Sequence, residues 1–248
     1  TPKEREEIRV AQGTYKPDQR VMTTRGGLQV RVSGDRTATF QLINGVAIKG
    51  SYGGFGEADP DARDIELYET ILSGDLNDND GPNFTNNGDN SYHVVTGSGT
   101  NATAMLDGFS VSAGNANGSN PTNKGGGMYC ELGSPTISNC TFSGNSGQSD
   151  GGGMYNSQSS PSVTNCMFIA NWAASGGGMR NRNYSSPTVS NCRFSENSVS
   201  SNGGAIVNYN NSSPMVTDCM FIGNSAVGEG GGMWNNDRCS PTVINCTF

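Results

Sequence analysis

Apolar and polar positions along residues 134–248 recur as a phrase rather than as one continuous amphipathic wave. In Thr136-Ile137-Ser138-Asn139-Cys140-Thr141-Phe142-Ser143 the apolar residues are Ile137, Cys140 and Phe142. The period of two that marks a half-buried strand holds from Cys140 to Phe142 and slips by one at Asn139. Asn tolerates a left-handed backbone, so the slip predicts a bend at Asn139 between two short strands, with Ile137 and Cys140 both inward. The phrase begins again at Ser160, Ser186, Ser213 and Ser240, giving starts 26, 26, 27 and 27 residues apart from Ser134. A second phrase, Gly-Gly-Gly-Met, runs in step from Gly125, Gly151, Gly176 and Gly230, with Gly203-Gly204-Ala205-Ile206 in the same place. It predicts a third strand, as in Gly153-Met154-Tyr155-Asn156, with Met154 inward and Tyr155 outward.

A fixed period of this length marks a repeat architecture. Three Gly, a Pro and a scatter of Ser, Thr and Asn per unit exclude helical repeats, because these residues are poor in helix interiors. A propeller blade needs four strands and about 40 residues. What remains is an all-β solenoid, a parallel β-helix with about 26 residues per coil. Stacking then sets like over like. Cys140, Cys166, Cys192, Cys219 and Cys246 form one inward column, and Phe142, Phe168, Phe194, Phe221 and Phe248 another. The bend column holds Asn139, Asn165, Asn191, Asp218 and Asn245, whose amides at a strand spacing of about 4.8 Å can bond along the axis.

The paired signatures Phe-x-x-Asn (Phe142 to Asn145, Phe168 to Asn171, Phe194 to Asn197, Phe221 to Asn224) and Gly-Gly-Ala-Ile (Gly203 to Ile206) resemble the repeats of chlamydial polymorphic outer-membrane proteins. More broadly they resemble bacterial secreted parallel β-helix proteins, which implies a right-handed, single-stranded coil. This chain carries Gly-Gly-Gly-Met where that signature has Gly-Gly-Ala-Ile. The resemblance is specific over the second half and looser over the first.

The earlier residues read as irregular coils, so the expected division is 1–124, coils with capping excursions, and 125–248, regular repeats open at the C-terminal end. Glu7 to Tyr15 alternates like an opening strand. Phe40 to Ile48 gives two strands flexed at Asn44-Gly45, Ala62 to Tyr68 suggests a helical turn, and Thr70 to Ser73 returns to the stack. Met105 to Val111 aligns with the Asn-Cys-x-Phe column, and Gly114-Asn115-Ala116 with Gly144-Asn145-Ser146. Asn115 to Lys124 reads as a loop between coils. Beginning at Thr1 implies a processed, trimmed or partial chain. Stopping at Phe248, inside the phrase, implies an end that either continues or is covered, for which a head-to-tail copy is one solution and leads to a filament.

The net charge of −7 argues against a nucleic-acid groove, which needs clustered Lys and Arg. No apolar run approaches the length of a membrane span. The seven cysteines read as reduced. Five lie in the inward column, where free Cys acts as a small apolar residue. Cys130 takes the column otherwise held by Asn156, Asn181, Asn208 and Asn235, while Cys239 is about four coils away in a loop.

Candidate chemistry is sparse. Asp75, Asn77, Asp78 and Asp80 alternate oxygen ligands as a Ca²⁺ loop does, and so does a solvated Asp/Asn turn. The outward column Tyr129, Tyr155, Arg180, Val207, Trp234 offers Tyr129, Tyr155 and Trp234 as a stripe for stacking on sugar rings; a packing ladder is the plainer reading. His93 reads as structural, and Arg180 with Arg182 as an exposed solubilising pair. The carboxylates of the regular half, Glu131, Asp150, Glu196, Asp218, Glu229 and Asp237, never share an outward column in adjacent coils. Sequons at Asn83, Asn101, Asn117, Asn183, Asn210 and Asn211 leave glycosylation open.

The sequence therefore points to a non-enzymatic, extracellular or cell-surface β-helix with a structural or adhesive role, a building block of a fibre or surface layer. Its expected partners are itself head to tail, other surface proteins or glycans. Beyond the Ca²⁺ candidate no cofactor is expected. The alternative is a carbohydrate-active enzyme, a polysaccharide lyase or glycoside hydrolase on the same scaffold, and a passive stalk is a third reading.

Overall fold

The computed structural model describes residues 6–18, 20–23, 29–32 and 34–248, with backbone alone for 20–23 and 29–32. The chain start at Thr1 lies outside these residues. Successive coils stack as parallel strands, giving sheets of eight, seven, five and seven strands. Each regular coil visits the four in turn: Thr136–Ser138, Thr141–Ser143, Ser146–Asp150 and Met154–Ser157 make one complete circuit. Three strands were expected; the fourth, of the Ser146–Asp150 type, varies from five residues to two and is defined by backbone bonds to neighbouring coils. An antiparallel pair, Arg20–Thr23 with Gln29–Val32, lies apart from the coils.

Corners explain why so few apolar residues suffice. Asn139, Asn165, Asn191, Asp218 and Asn245 all adopt φ between 51 and 54°, the left-handed region, so each turns the chain between the first two sheets. Gly108 fills this position one coil earlier at φ 79°. In the Gly runs the need is also for space: a Cβ on Gly152 would meet the Trp172 carbonyl oxygen at 2.4 Å.

Register is strict. Phe142 pairs Phe168, Phe168 pairs Phe194, and Phe194 pairs Phe221. Their rings stack with centroids 4.7–5.1 Å apart, and the file continues to Phe248 at 4.5 Å. Such contacts add roughly 0.5–1.5 kcal/mol per pair beyond burial. Cys140, Cys166, Cys192 and Cys219 are buried and Cys246 half-buried, all unbridged. The Cys166 amide approaches the Cys192 sulfur at 3.4 Å, and the same contact repeats from Cys192 to Cys219 and from Cys219 to Cys246.

Two files of amides run through the interior. Asn145, Asn171 and Asn197 are fully buried, and each Nδ2 donates to the next coil's Oδ1 at 2.8–3.1 Å, ending at Asn224. The second Nδ2 proton goes back to the previous coil, as from Asn171 to the Phe142 carbonyl at 2.9 Å. In the other file Asn156 donates to Asn181, Asn181 to Asn208 and Asn208 to Asn235 at 2.7–2.9 Å. Each coil thus hydrogen-bonds most of its buried amides through its neighbour, as burial requires, with Asn156 Oδ1 at the head of the second file left unpartnered. The bend amides make a thinner line at the surface: Asn165 reaches Asn139 at 3.3 Å, and Asn139 reaches Asp107 at 2.7 Å.

One local expectation shifts. Asn115 pairs with Ser146, and Gly114 lies opposite Asn145, whose Oδ1 accepts its amide at 3.0 Å. The alignment of Gly114-Asn115-Ala116 was therefore one residue out. The helical turn expected in Ala62 to Tyr68 is present as one turn, closed by Tyr68 N to Asp64 O at 3.0 Å.

Candidate functional site: an axial trough

The excursion between Tyr52 and Thr70 folds back over the corner of the first two sheets. Arg63 fixes it there: Nε donates to the Gly50 carbonyl at 2.9 Å, and Nη2 lies 3.0 Å from Asp107 Oδ2. The Asp64 carboxylate caps the turn by accepting the Glu66 and Leu67 amides. The overhang presents Ile65, Glu66 and Glu69 above a floor of Gly108, Phe109, Ser110, Asn139 and Thr141, enclosing a cleft of about 520 Å³ that ends at Met167. Gly108 matters here because it takes the place where later coils carry a bend amide, making room for the Arg63 guanidinium, whose Nη2 a Cβ there would meet at 2.6 Å.

A second depression of about 410 Å³ begins at the same Met167 and continues past Asn165, Asn191, Arg193, Asp218 and Met220. Together they form one trough along the solenoid axis. Amides of the bend column line one side, while Met167 and Met220, 42% and 43% exposed, line the other. From Ser110 to Met220 is four coil steps, about 19 Å at the strand spacing. None of these trough residues, apart from Asn139, Asn165, Asn191 and Asp218 of the bend column, stood among the sequence candidates. Gly108 replacing Asn in the bend column was the one readable sign.

The aromatic stripe is elsewhere, on the fourth sheet, and is covered. Tyr129 and Tyr155 are only 8% and 3% exposed. Tyr129 stacks between His93 and Tyr155, at 4.9 and 5.5 Å, and Lys124 lies over the Tyr155 ring. Their ring faces are occupied, which corrects the expectation that sugars stack on them. Trp234 is half-buried, its indole N–H held by Glu229 at 2.9 Å. Arg180 is likewise buried rather than exposed, 3.2 Å from Asp150, with Arg180 and Arg182 both against the Tyr209 ring. Burial lowers the Arg180 pKa, and Asp150 opposes the shift. Glu131 accepts the Tyr129 hydroxyl at 3.0 Å. Three carboxylates of the regular half, Glu131, Asp150 and Glu229, are thus each engaged with a separate partner.

In the Asp75–Asp80 loop the oxygens turn to different partners. Asp75 accepts the Asn79 and Asp80 amides, Asp80 accepts the Asn90 side chain, and Asp78 pairs with Lys16 at 2.6 Å; Asn77 donates to Asp89. Among the described residues no group of three or more His, Cys, Asp or Glu converges as a metal site.

Residues 83–248 match the family described as the right handed beta helix region, and the chain belongs to that family. Neither the search of curated proteins nor that of solved structures returns a match. Among the described residues no helix is long and apolar enough to cross a membrane.

Proposed function

We propose that this is an extracellular, cell-surface β-helix with a structural and adhesive role, and that it holds a linear glycan along the trough. The observation carrying the reading is the trough itself, an open channel aligned with the axis, along which the bend positions Asn139, Asn165, Asn191 and Asp218 recur from coil to coil. Asn165 and Asn191 supply amide donors and acceptors suited to sugar hydroxyls, with Asn139 held between Asp107 and Asn165. Met167 and Met220 supply soft apolar surface for the C–H faces of the rings. The uninterrupted interior ladders support a scaffold role, since nothing in the regular coils is bent away to build a reactive centre. Glycan-array binding tests the proposal: Asn165→Ala with Met167→Ala should abolish retention while far-ultraviolet circular dichroism stays unchanged. Equal retention by the variant would remove the trough from the function.

One observation favours a hydrolase or lyase as the second reading. Glu66 and Glu69 share a cleft wall, and glycosidic chemistry uses carboxylates. Release of reducing or unsaturated sugar ends from a polysaccharide panel, lost in Glu66→Gln or Glu69→Gln, would replace the adhesive reading with the enzymatic one.

A further inference from the structure

The fourth sheet carries cations that the fold does not fully neutralise. Arg180 and Arg182 stand two positions apart on the strand Met179–Arg182, so both side chains leave its outward face. Tyr209, paired with Arg182 on the next strand, receives both guanidinium groups, their Cζ atoms 5.5 and 5.6 Å from its ring centroid. Asp150 meets one of them, 3.2 Å from Arg180 Nη1. Glu131 is taken up by the Tyr129 hydroxyl and Glu229 by the Trp234 indole. Among the described residues Arg182 therefore has no carboxylate partner, and its guanidinium rests on the Tyr209 ring alone.

The Nε–H groups of Arg180 and Arg182 are both buried and both without an acceptor, and the Arg180 side chain is only 10% exposed. Elsewhere the chain does not strand this group: Arg36 gives its Nε to the Asn90 carbonyl and Arg63 to the Gly50 carbonyl. Buried charged donors without acceptors are costly, and here two of them share one face. Arg182 is half-buried, so the pair is reached from solvent on its side. A guanidinium holds its donors in a planar fork that fits two oxygens of one anion. A single added negative charge, together with Asp150, balances the two arginines. The net charge of −7 repels anions at large, so an anion held here is held by these two side chains.

We propose that Arg180 and Arg182 form a subsite for a singly charged oxyanion, a carboxylate or a sulfate ester. The subsite lies on the fourth sheet, apart from the trough at the corner of the first two, and does not depend on the glycan reading. The test follows the arginine Nε–H resonances of the isotope-labelled whole chain by nuclear magnetic resonance. Sodium acetate, methyl sulfate, glucuronate or a glucose sulfate ester replaces sodium chloride at constant ionic strength, which holds general screening fixed. The Arg180 and Arg182 signals should move together along one saturation curve while those of Arg36 and Arg63 stay in place. Arg182→Gln should weaken binding about tenfold or more, the effect of losing a charged hydrogen-bond donor. Arg182→Lys, which keeps the charge and loses the fork, should not restore it. Tighter binding of the sugar acids than of acetate and methyl sulfate names a saccharide as the anion's source, and equal binding names the oxyanion group alone; both uphold the subsite. No saturable shift at Arg180 and Arg182, or the same shift at every arginine, would overturn it, and that reading is made on the unaltered chain.

Discussion

Arg63 and Asp107, 44 positions apart in the chain, meet at 3.0 Å, and this pair joins the overhang to the coil that floors the cleft. The Asp107 side chain is only 10% exposed and otherwise takes the Asn139 amide at 2.7 Å. Without the guanidinium, the overhang loses its anchor and the carboxylate keeps one partner.

Arg63→Ala should accordingly cost about 1–3 kcal/mol, the range for losing a charged hydrogen-bond partner at a largely covered group. Limited proteolysis should cut first within residues 53–69, while the regular coils stay protected. A cleavage pattern identical to that of the unaltered chain would show that the excursion is held by something else.

The interior amides give a sharper case. Asn181→Ala leaves Asn156 without its acceptor and Asn208 Oδ1 without its donor, both fully buried. Two stranded polar groups should cost about 2–4 kcal/mol, seen as a lower midpoint in urea. Alanine in place of exposed Asn165 removes one 3.3 Å surface contact and strains the bend at φ 54°, which should cost about 1 kcal/mol and lower the midpoint less.

Thiol accessibility should divide the cysteines. Cys239 and Cys246 are half-buried and the other five buried, so a thiol reagent should titrate at most two groups promptly in the native protein and seven after denaturation. Burial pushes the Cys130 thiol up from 9.0 to about 11. Because the folded state then holds the proton more tightly, its contribution to stability is complete below pH 9 and is lost as pH rises towards 11. Cys130→Ala should flatten that alkaline slope.

His93, the only histidine, reports on the acid side. Burial pulls its imidazole pKa below the ordinary 6.5, against the opposing hydrogen bond to the Gly125 carbonyl. The unfolded chain takes up a proton first as pH falls, so this contribution is present above 6.5 and lost progressively below it. A nuclear magnetic resonance titration should place the folded midpoint below 6.5. A midpoint at or above that value would contradict the covered stack with Tyr129.

The solenoid was legible because a coil that packs on its own copy must repeat the side chains it turns inward. Ile137 and Phe142 carried the period, and the one-residue slip at Asn139 marked a corner. The fourth strand was not legible. Ser198–Val199 and Ser225–Ala226 are two residues long, too short for alternation to show. Nor could the sequence say which outward faces stay open. Tyr155 occupies an outward position, yet Lys124 lies over its ring; Glu66 and Glu69 belong to a stretch without a repeat, and what they overhang is decided by contacts of the fold, Arg63 with Asp107, Asp64 N with the Ser51 carbonyl and Glu69 with Ser110.

The amide files have a further consequence. Every Asn in both points its N–H the same way, towards the coil that follows, and in the Asn145–Asn224 file the return bond to a backbone carbonyl fixes that sense. Turning one amide around would set donor against donor on one side and oxygen against oxygen on the other. Orientation is thus collective, and the rod acquires an electrical direction, the amide dipoles of both files pointing the same way along the axis.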